Sequence, residues 1–272
     1  WWPPTGSTWT RWCRRSWTGY GGLDDPPHQT PEAPDPEMMY SILRGTIRFL
    51  CRVYLGPKFR LEGREWIPPR GGYLVCANHI GTVDPALVPA WVNRDDSWSM
   101  AKAEALHGHG FGAAVLRAYH AFGVVRHTPD RRALRRARDV LEGGGVLFLY
   151  PEGHRGWDGR LQRAEPGAGF LARVTQVPVL PVAITGTNQV IGQGRSFPRR
   201  RSVKVRFGPS FRLREHREDG SRVTNQEATD AIMLRIADML PEGMWGEYAA
   251  LRDDPGPRAL VVNVEKPLPT LS

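Results

Sequence analysis

Three unbroken apolar runs constrain this chain more than any other feature: GYLVCA (Gly72–Ala77), GVLFLY (Gly145–Tyr150) and VPVLPVAIT (Val177–Thr185). A strand with one wet face alternates apolar and polar residues. These runs do not alternate, so as strands they need cover on both faces. The segments around them supply that cover. Asp84-Pro85 has the form of an N-cap with proline at the first helical position, opening PALVPAWV. FGAAVLRAYHAF and PGAGFLARVTQ read as helices, and NQEATDAIMLRIADML as a closing one. Thr128-Pro129 repeats the cap-then-proline signature before DRRALRRARDVLEGGG, with Leu134, Ala137 and Leu141 facing inward and Gly143 past the end. KFRLEGREWIP, WSMAKAE, GVVR and RSVKVRFG are further strand candidates. Strands alternating with helices predict an α/β fold, an open, largely parallel sheet flanked by helices.

Organisation outside that core is legible too. Residues 38–57 form an amphipathic helix in which Leu43, Ile47, Leu50 and Tyr54 make an apolar stripe beside Arg44, Arg48 and Arg52; Gly56-Pro57 ends it. Such a stripe either packs on its own domain or lies in a membrane interface. Residues 1–37, with Trp1, Trp2, Trp9, Trp12 and Trp17 followed by the proline-rich acidic DDPPHQTPEAPDPE, lack periodicity. They are expected to be a disordered extension lying upstream of the native start. Residues 58–250 are expected to form the main domain, and 251–272 an irregular tail.

No apolar run approaches the ~18 residues of a membrane-spanning helix. Three cysteines without a C-x-x-C pair give neither a disulfide framework nor a zinc site, which points to a reduced, cytoplasmic setting. His107 and His109 lack completing ligands at recognisable spacing, so no metal is expected. A net charge of +9 favours an anionic partner. Because nearly all of it is arginine, it reflects a GC-rich genome as readily as a nucleic-acid site, and no nucleic-acid partner is expected.

The chemistry-bearing residues cluster at the ends of the apolar runs, where open α/β folds bind ligands. After the first comes NHIGTVD, with His79 and Asp84 five positions apart. On a helix they would lie ~140° apart, so they can meet only if the chain turns, which Gly81 permits. Asp84 could then hold one ring nitrogen as N–H and leave the other as a base; the plain alternative is that it only caps a helix. After the second run comes YPEGHRG, where Glu152 and Arg155 are costly beside an apolar strand unless they pair or bind something. A turn at Gly153 with the Arg155 fork suits a phosphate. Arg126 follows GVV at a third strand end. There is no phosphate-loop, dinucleotide or G-x-S-x-G signature.

NHIGTVD resembles the N-H-x4-D block of the glycerophospholipid acyltransferases, the lysophosphatidic acid acyltransferase family. GVVRHTPDRRAL is similar to that family's second block, YPEGHRG to its F-P-E-G-T-R-S block, and VPVLPVAITGT to its proline-bearing fourth. The resemblance implies an O-acyltransferase without a tightly bound cofactor. His79 would deprotonate the acceptor hydroxyl, which attacks an acyl-CoA or acyl-carrier-protein thioester, and Asp84 would orient His79. Arg126, Glu152, Gly153 and Arg155 would form the acceptor phosphate site. The implied acceptor is a lysophospholipid, 1-acylglycerol 3-phosphate first, with glycerol 3-phosphate or another lysolipid as the alternative. The family's membrane substrates imply peripheral or monotopic attachment at the cytoplasmic face of the cell membrane. His154 stands where the block usually has threonine, and Gly156 where it has serine. The competing class is a basic, non-catalytic membrane-binding module.

Overall fold

The computed structural model describes residues 36–108, 111–125, 130–191 and 198–266. Arg126, Thr128, His109 and the segment 1–35 lie outside the described residues. The main sheet comprises β1 (Phe59–Glu62), β2 (Tyr73–Ala77), β3 (Ser97–Lys102), β4 (Ala121–Val124), β5 (Val146–Leu149), β6 (Val179–Thr185) and β7 (Val203–Phe207), in the order β1-β7-β6-β2-β5-β3-β4. The three apolar runs are β2, β5 and β6, and they lie side by side and parallel at the centre. Their residues are almost completely buried, as their lack of alternation requires. Strands β2 to β6 all run one way. β7 is antiparallel to β6 and parallel to β1, so the starts of β1 and β7 lie at the same edge as the ends of β2, β5 and β6.

Helices flank the sheet: α1 (Pro36–Leu50), α2 (Asp84–Leu87), α3 (Ala103–Leu106), α4 (Phe111–Ala118), α5 (Arg131–Glu142), α6 (Gly167–Thr175), α7 (Asn225–Ala237) and α8 (Pro255–Ala259). Helix α7 starts with a reciprocal cap, Thr224 and Glu227 each accepting from the other's backbone amide. It packs so closely on α6 that a Cβ at Gly169 would lie 2.6 Å from the Thr229 nitrogen, and Thr229 Oγ1 accepts from Gly169 N at 2.9 Å. The expected PALVPAWV helix is two short pieces, α2 and a 3₁₀ turn at Pro89–Trp91, because Pro89 lacks the N–H needed to continue. The cap of α5 is Asp130, whose side chain accepts from Ala133 N.

Two expectations need correction. The tail is not irregular from residue 251: α8 is followed by β9 (Val261–Asn263), which pairs antiparallel with β8 (Phe211–Leu213) at the sheet margin. Three-residue strands are too short to show a period. The apolar stripe of α1 also differs. The helix widens into a π turn at Cys51–Leu55, which shifts its register by one residue. Tyr40, Cys51 and Leu55 are buried with Leu43 and Ile47 packed behind them, while Leu50 and Tyr54 turn outward. Two of the three flanking arginines face the protein. Arg44 pairs with Asp95 at 3.0 Å, and Arg48 Nε donates to the Ala90 carbonyl at 2.5 Å. The outer face instead carries Ile42, Phe49, Leu50 and Val53, each more than half exposed.

Candidate active site

The chain leaves β2 at Asn78, a buried side chain that acts as a substitute ladder partner. Its Nδ2 donates to the Ile184 carbonyl at 2.9 Å and its Oδ1 accepts from Ile184 N at 2.7 Å, which holds the end of β2 against β6. The next residues turn back on themselves. Asp84, fully buried, directs Oδ2 into that turn, where it accepts from Ile80 N at 2.9 Å, Gly81 N at 2.7 Å and His79 Nδ1 at 2.9 Å. A carboxylate can only accept, so Nδ1 is the donor, and in the neutral imidazole Nε2 is left as the acceptor nitrogen. Nε2 has no hydrogen-bond partner among the described residues, and the side chain keeps 15% exposure. Asp84 is the first residue of α2, with Val83 at the cap position, and its side chain bonds backward rather than capping. Gly81 matters for a different reason than left-handed freedom: a Cβ there would lie 2.6 Å from Thr187 Oγ1, so only glycine lets the turn approach that residue.

The second block is fastened to the first through backbone groups. Glu152 Oε1 accepts from His79 N at 2.7 Å and Oε2 from Gln162 N at 2.8 Å, while Gly156 N donates to the His79 carbonyl at 2.8 Å. Glu152 is 1% exposed, so this carboxyl braces the His79 turn from beneath; both its oxygens are committed to amides, which differs from the expected place at the acceptor phosphate. Gly153, at φ +67°, closes the Tyr150–Gly153 turn in the left-handed region that favours glycine. Arg155 is exposed, donates to Thr82 Oγ1 at 2.8 Å and lies over the Trp157 ring. Its guanidinium therefore borders the His79–Asp84 turn, as the two motifs suggested. His154 points to solvent. The glycine at 156 has a local cause: a Cβ would lie 2.6 Å from the Arg160 carbonyl.

Sequence reasoning passed over three residues. Tyr150 tilts its ring against His79, centroids 4.5 Å apart, and burial raises its phenol well above the ordinary value. Asn78 was visible as a polar residue ending a buried run. Gln162 contributes only its amide, which no side-chain pattern reveals.

Burial also pushes the Glu152 carboxyl up to about 8, against its two amide bonds, which favour the charged form. Between the usual carboxyl range near 4.3 and 8, the folded chain keeps a proton that the unfolded chain has released. Stability contributed by this group therefore falls as pH rises through that window and is lowest above it. Glu152→Gln should flatten that part of the profile. Melting temperatures of both proteins from pH 5 to 9 test this; parallel curves would refute the assignment.

Residues 58–185 match the family model described as Acyltransferase. A 1-acyl-sn-glycerol-3-phosphate acyltransferase of Cocos nucifera is 30% identical over 57% of this chain and 48% of its own length. The alpha form from Mus musculus is 28% identical over 48% of this chain and 46% of its own. The chain thus spans about half the length of these curated relatives. The crystal structure of the 1-acyl-sn-glycerophosphate acyltransferase PlsC from Thermotoga maritima superposes with a TM-score of 0.59 at 25% identity, covering 76% of this chain and 82% of that one.

Proposed function

We propose that the chain, whose residues 58–185 match the Acyltransferase model and which is similar to 1-acyl-sn-glycerol-3-phosphate acyltransferases, acylates the free hydroxyl of a lysophospholipid. The first acceptor is 1-acylglycerol 3-phosphate, giving phosphatidic acid, and the donor is an acyl thioester of CoA or acyl-carrier protein. The observation that carries this reading is the His79–Asp84 pair at the end of β2, with Nε2 unengaged. In the step proposed, Nε2 takes the hydroxyl proton as that oxygen attacks the thioester carbon. The C–S bond breaks, and the imidazolium returns the proton to the departing sulfur. Asp84 holds the ring and offsets its positive charge while it is protonated. Arg155 and the Gly153 turn, with Arg126 from the second block, would receive the acceptor phosphate. Glu152 keeps the turn in place without touching substrate. No covalent acyl-enzyme is required.

Membrane attachment belongs to the same proposal. No described helix is long and apolar enough to cross a bilayer. Helix α1 and the π turn that continues it instead present Ile42, Phe49, Leu50 and Val53 outward, and the inner face of α1 packs on the segment just after Asp84 through Arg48 and Ala90. A helix of that kind lies in the interface, here at the cytoplasmic face. Incubating the purified protein with labelled acyl-CoA, or labelled acyl-carrier protein, and a panel of lysolipids and glycerol 3-phosphate tests the reaction. Phosphatidic acid, identified by mass, is the expected product. Transfer to no member of the panel would overturn the enzyme reading, and preference for glycerol 3-phosphate would overturn the acceptor alone.

A further inference from the structure

We infer that the run Arg199–Arg201, together with Arg52 and Lys58, forms a second membrane contact that binds anionic phospholipid headgroups and turns the catalytic edge of the sheet toward the bilayer. The inference rests on the interfacial placement of α1 and adds to it the charge of the partner surface. All five side chains are exposed, and none makes an ion pair among the described residues. The neighbouring cations of β7 behave differently, since Lys204 and Arg206 both face Glu62, at 2.9 and 3.8 Å. The run and its two companions therefore carry positive charge that no carboxylate offsets among the described residues.

Position gives the cluster its meaning. Tyr54 Oη donates to the Pro198 carbonyl at 2.8 Å, and a Cβ on Gly56 would lie 3.0 Å from the Arg200 guanidinium. The run is thus fastened to the end of the helix whose outer face is Phe49, Leu50 and Val53. An apolar face bordered by unpaired cations is complementary to a bilayer whose surface is negative, because the apolar part enters the interface while the cations stay at phosphate depth.

The sheet then sets the direction. β1 and β7 run opposite to the central strands, so Lys58 and Ser202, just before them, lie at the edge where β2 and β5 end. Ser202 abuts Gly186, whose neighbour Thr187 packs on Gly81 in the His79 turn. The headgroup contact and the catalytic turn therefore share one edge, and docking there presents His79 to the lipid surface.

The test is co-sedimentation of the full chain with neutral phosphatidylcholine vesicles and with vesicles that also contain phosphatidylglycerol. Wild type should prefer the anionic vesicles, and the preference should fade as salt rises. The triple change Arg199→Gln, Arg200→Gln, Arg201→Gln should weaken anionic-vesicle binding by about a hundredfold while leaving neutral-vesicle binding in place. Phe49→Ser with Leu50→Ser should weaken both. Circular dichroism and melting temperature verify that each variant is folded. An unchanged anionic preference in the triple variant overturns the inference, as does equal wild-type binding to both vesicles, or displacement by an oligonucleotide at charge concentrations matching the lipid. Acyl transfer in neutral detergent micelles is read separately, so loss of the catalytic reading and loss of the headgroup contact cannot be confused.

Discussion

Replacing His79 by alanine should lower acyl transfer by about 10²–10⁴-fold, the range that a positioned general base supplies, with little change in fold. The ring is a side branch of the turn rather than its frame. Asp84 would still accept from Ile80 N and Gly81 N, and the His79 backbone would still bond Glu152 and Gly156. What disappears is Nε2 and the contact with Tyr150. The predicted thermodynamic cost is about 1 kcal/mol from the lost hydrogen bond and packing. Steady-state rates beside a melting curve decide the matter. If turnover survives, the proton goes elsewhere and the proposed mechanism fails.

Asp84→Asn should cost about as much in rate, by a different route, and more in stability. One oxygen now serves His79 Nδ1 and two backbone amides. An asparagine oxygen turned toward the same three donors brings no charge to balance an imidazolium. If the side-chain NH₂ faces the ring instead, Nδ1 must become the acceptor and Nε2 keeps the proton, which is the wrong tautomer for a base. Comparable carboxylate-to-amide changes beside a catalytic histidine lower kcat by about 10⁴. Loss of charge-assisted bonds at a fully buried site should also lower stability by about 1–3 kcal/mol. The diagnostic readout is kcat at a temperature where circular dichroism shows the variant fully folded: a rate still lowered there reports the lost orientation of His79, whereas a merely structural lesion would leave the folded variant active.

The centre of the fold was legible because its three apolar runs admit only a sheet covered on both faces, and the pairing of His79 with Asp84 because a glycine turn was needed to join them. The role of Glu152 was not legible. A carboxylate beside an arginine and a glycine suggests phosphate in one dimension, yet its partners are the amides of His79 and Gln162, and an amide carries no letter of its own. The outward face of α1 was misread for a related reason. A regular helical period places Leu50 and Tyr54 inward; Leu50 instead lies at the margin of the face that Tyr40, Ile47 and Cys51 bury, and the wide turn at Cys51–Leu55 carries Tyr54 outward while keeping Leu55 inside. Strands β8 and β9 were missed because three residues hold too few alternations to count.

The bonds that aim His79 come from its own backbone and from the amides of Ile80, Gly81, Gly156 and Gln162, with only two carboxylates as side-chain partners. The aim of the base is thereby uncoupled from the side chains that border it. Substitutions at positions such as Val83 and His154 would leave those bonds untouched, so on the proposed reading the acceptor preference could change while the base keeps its aim.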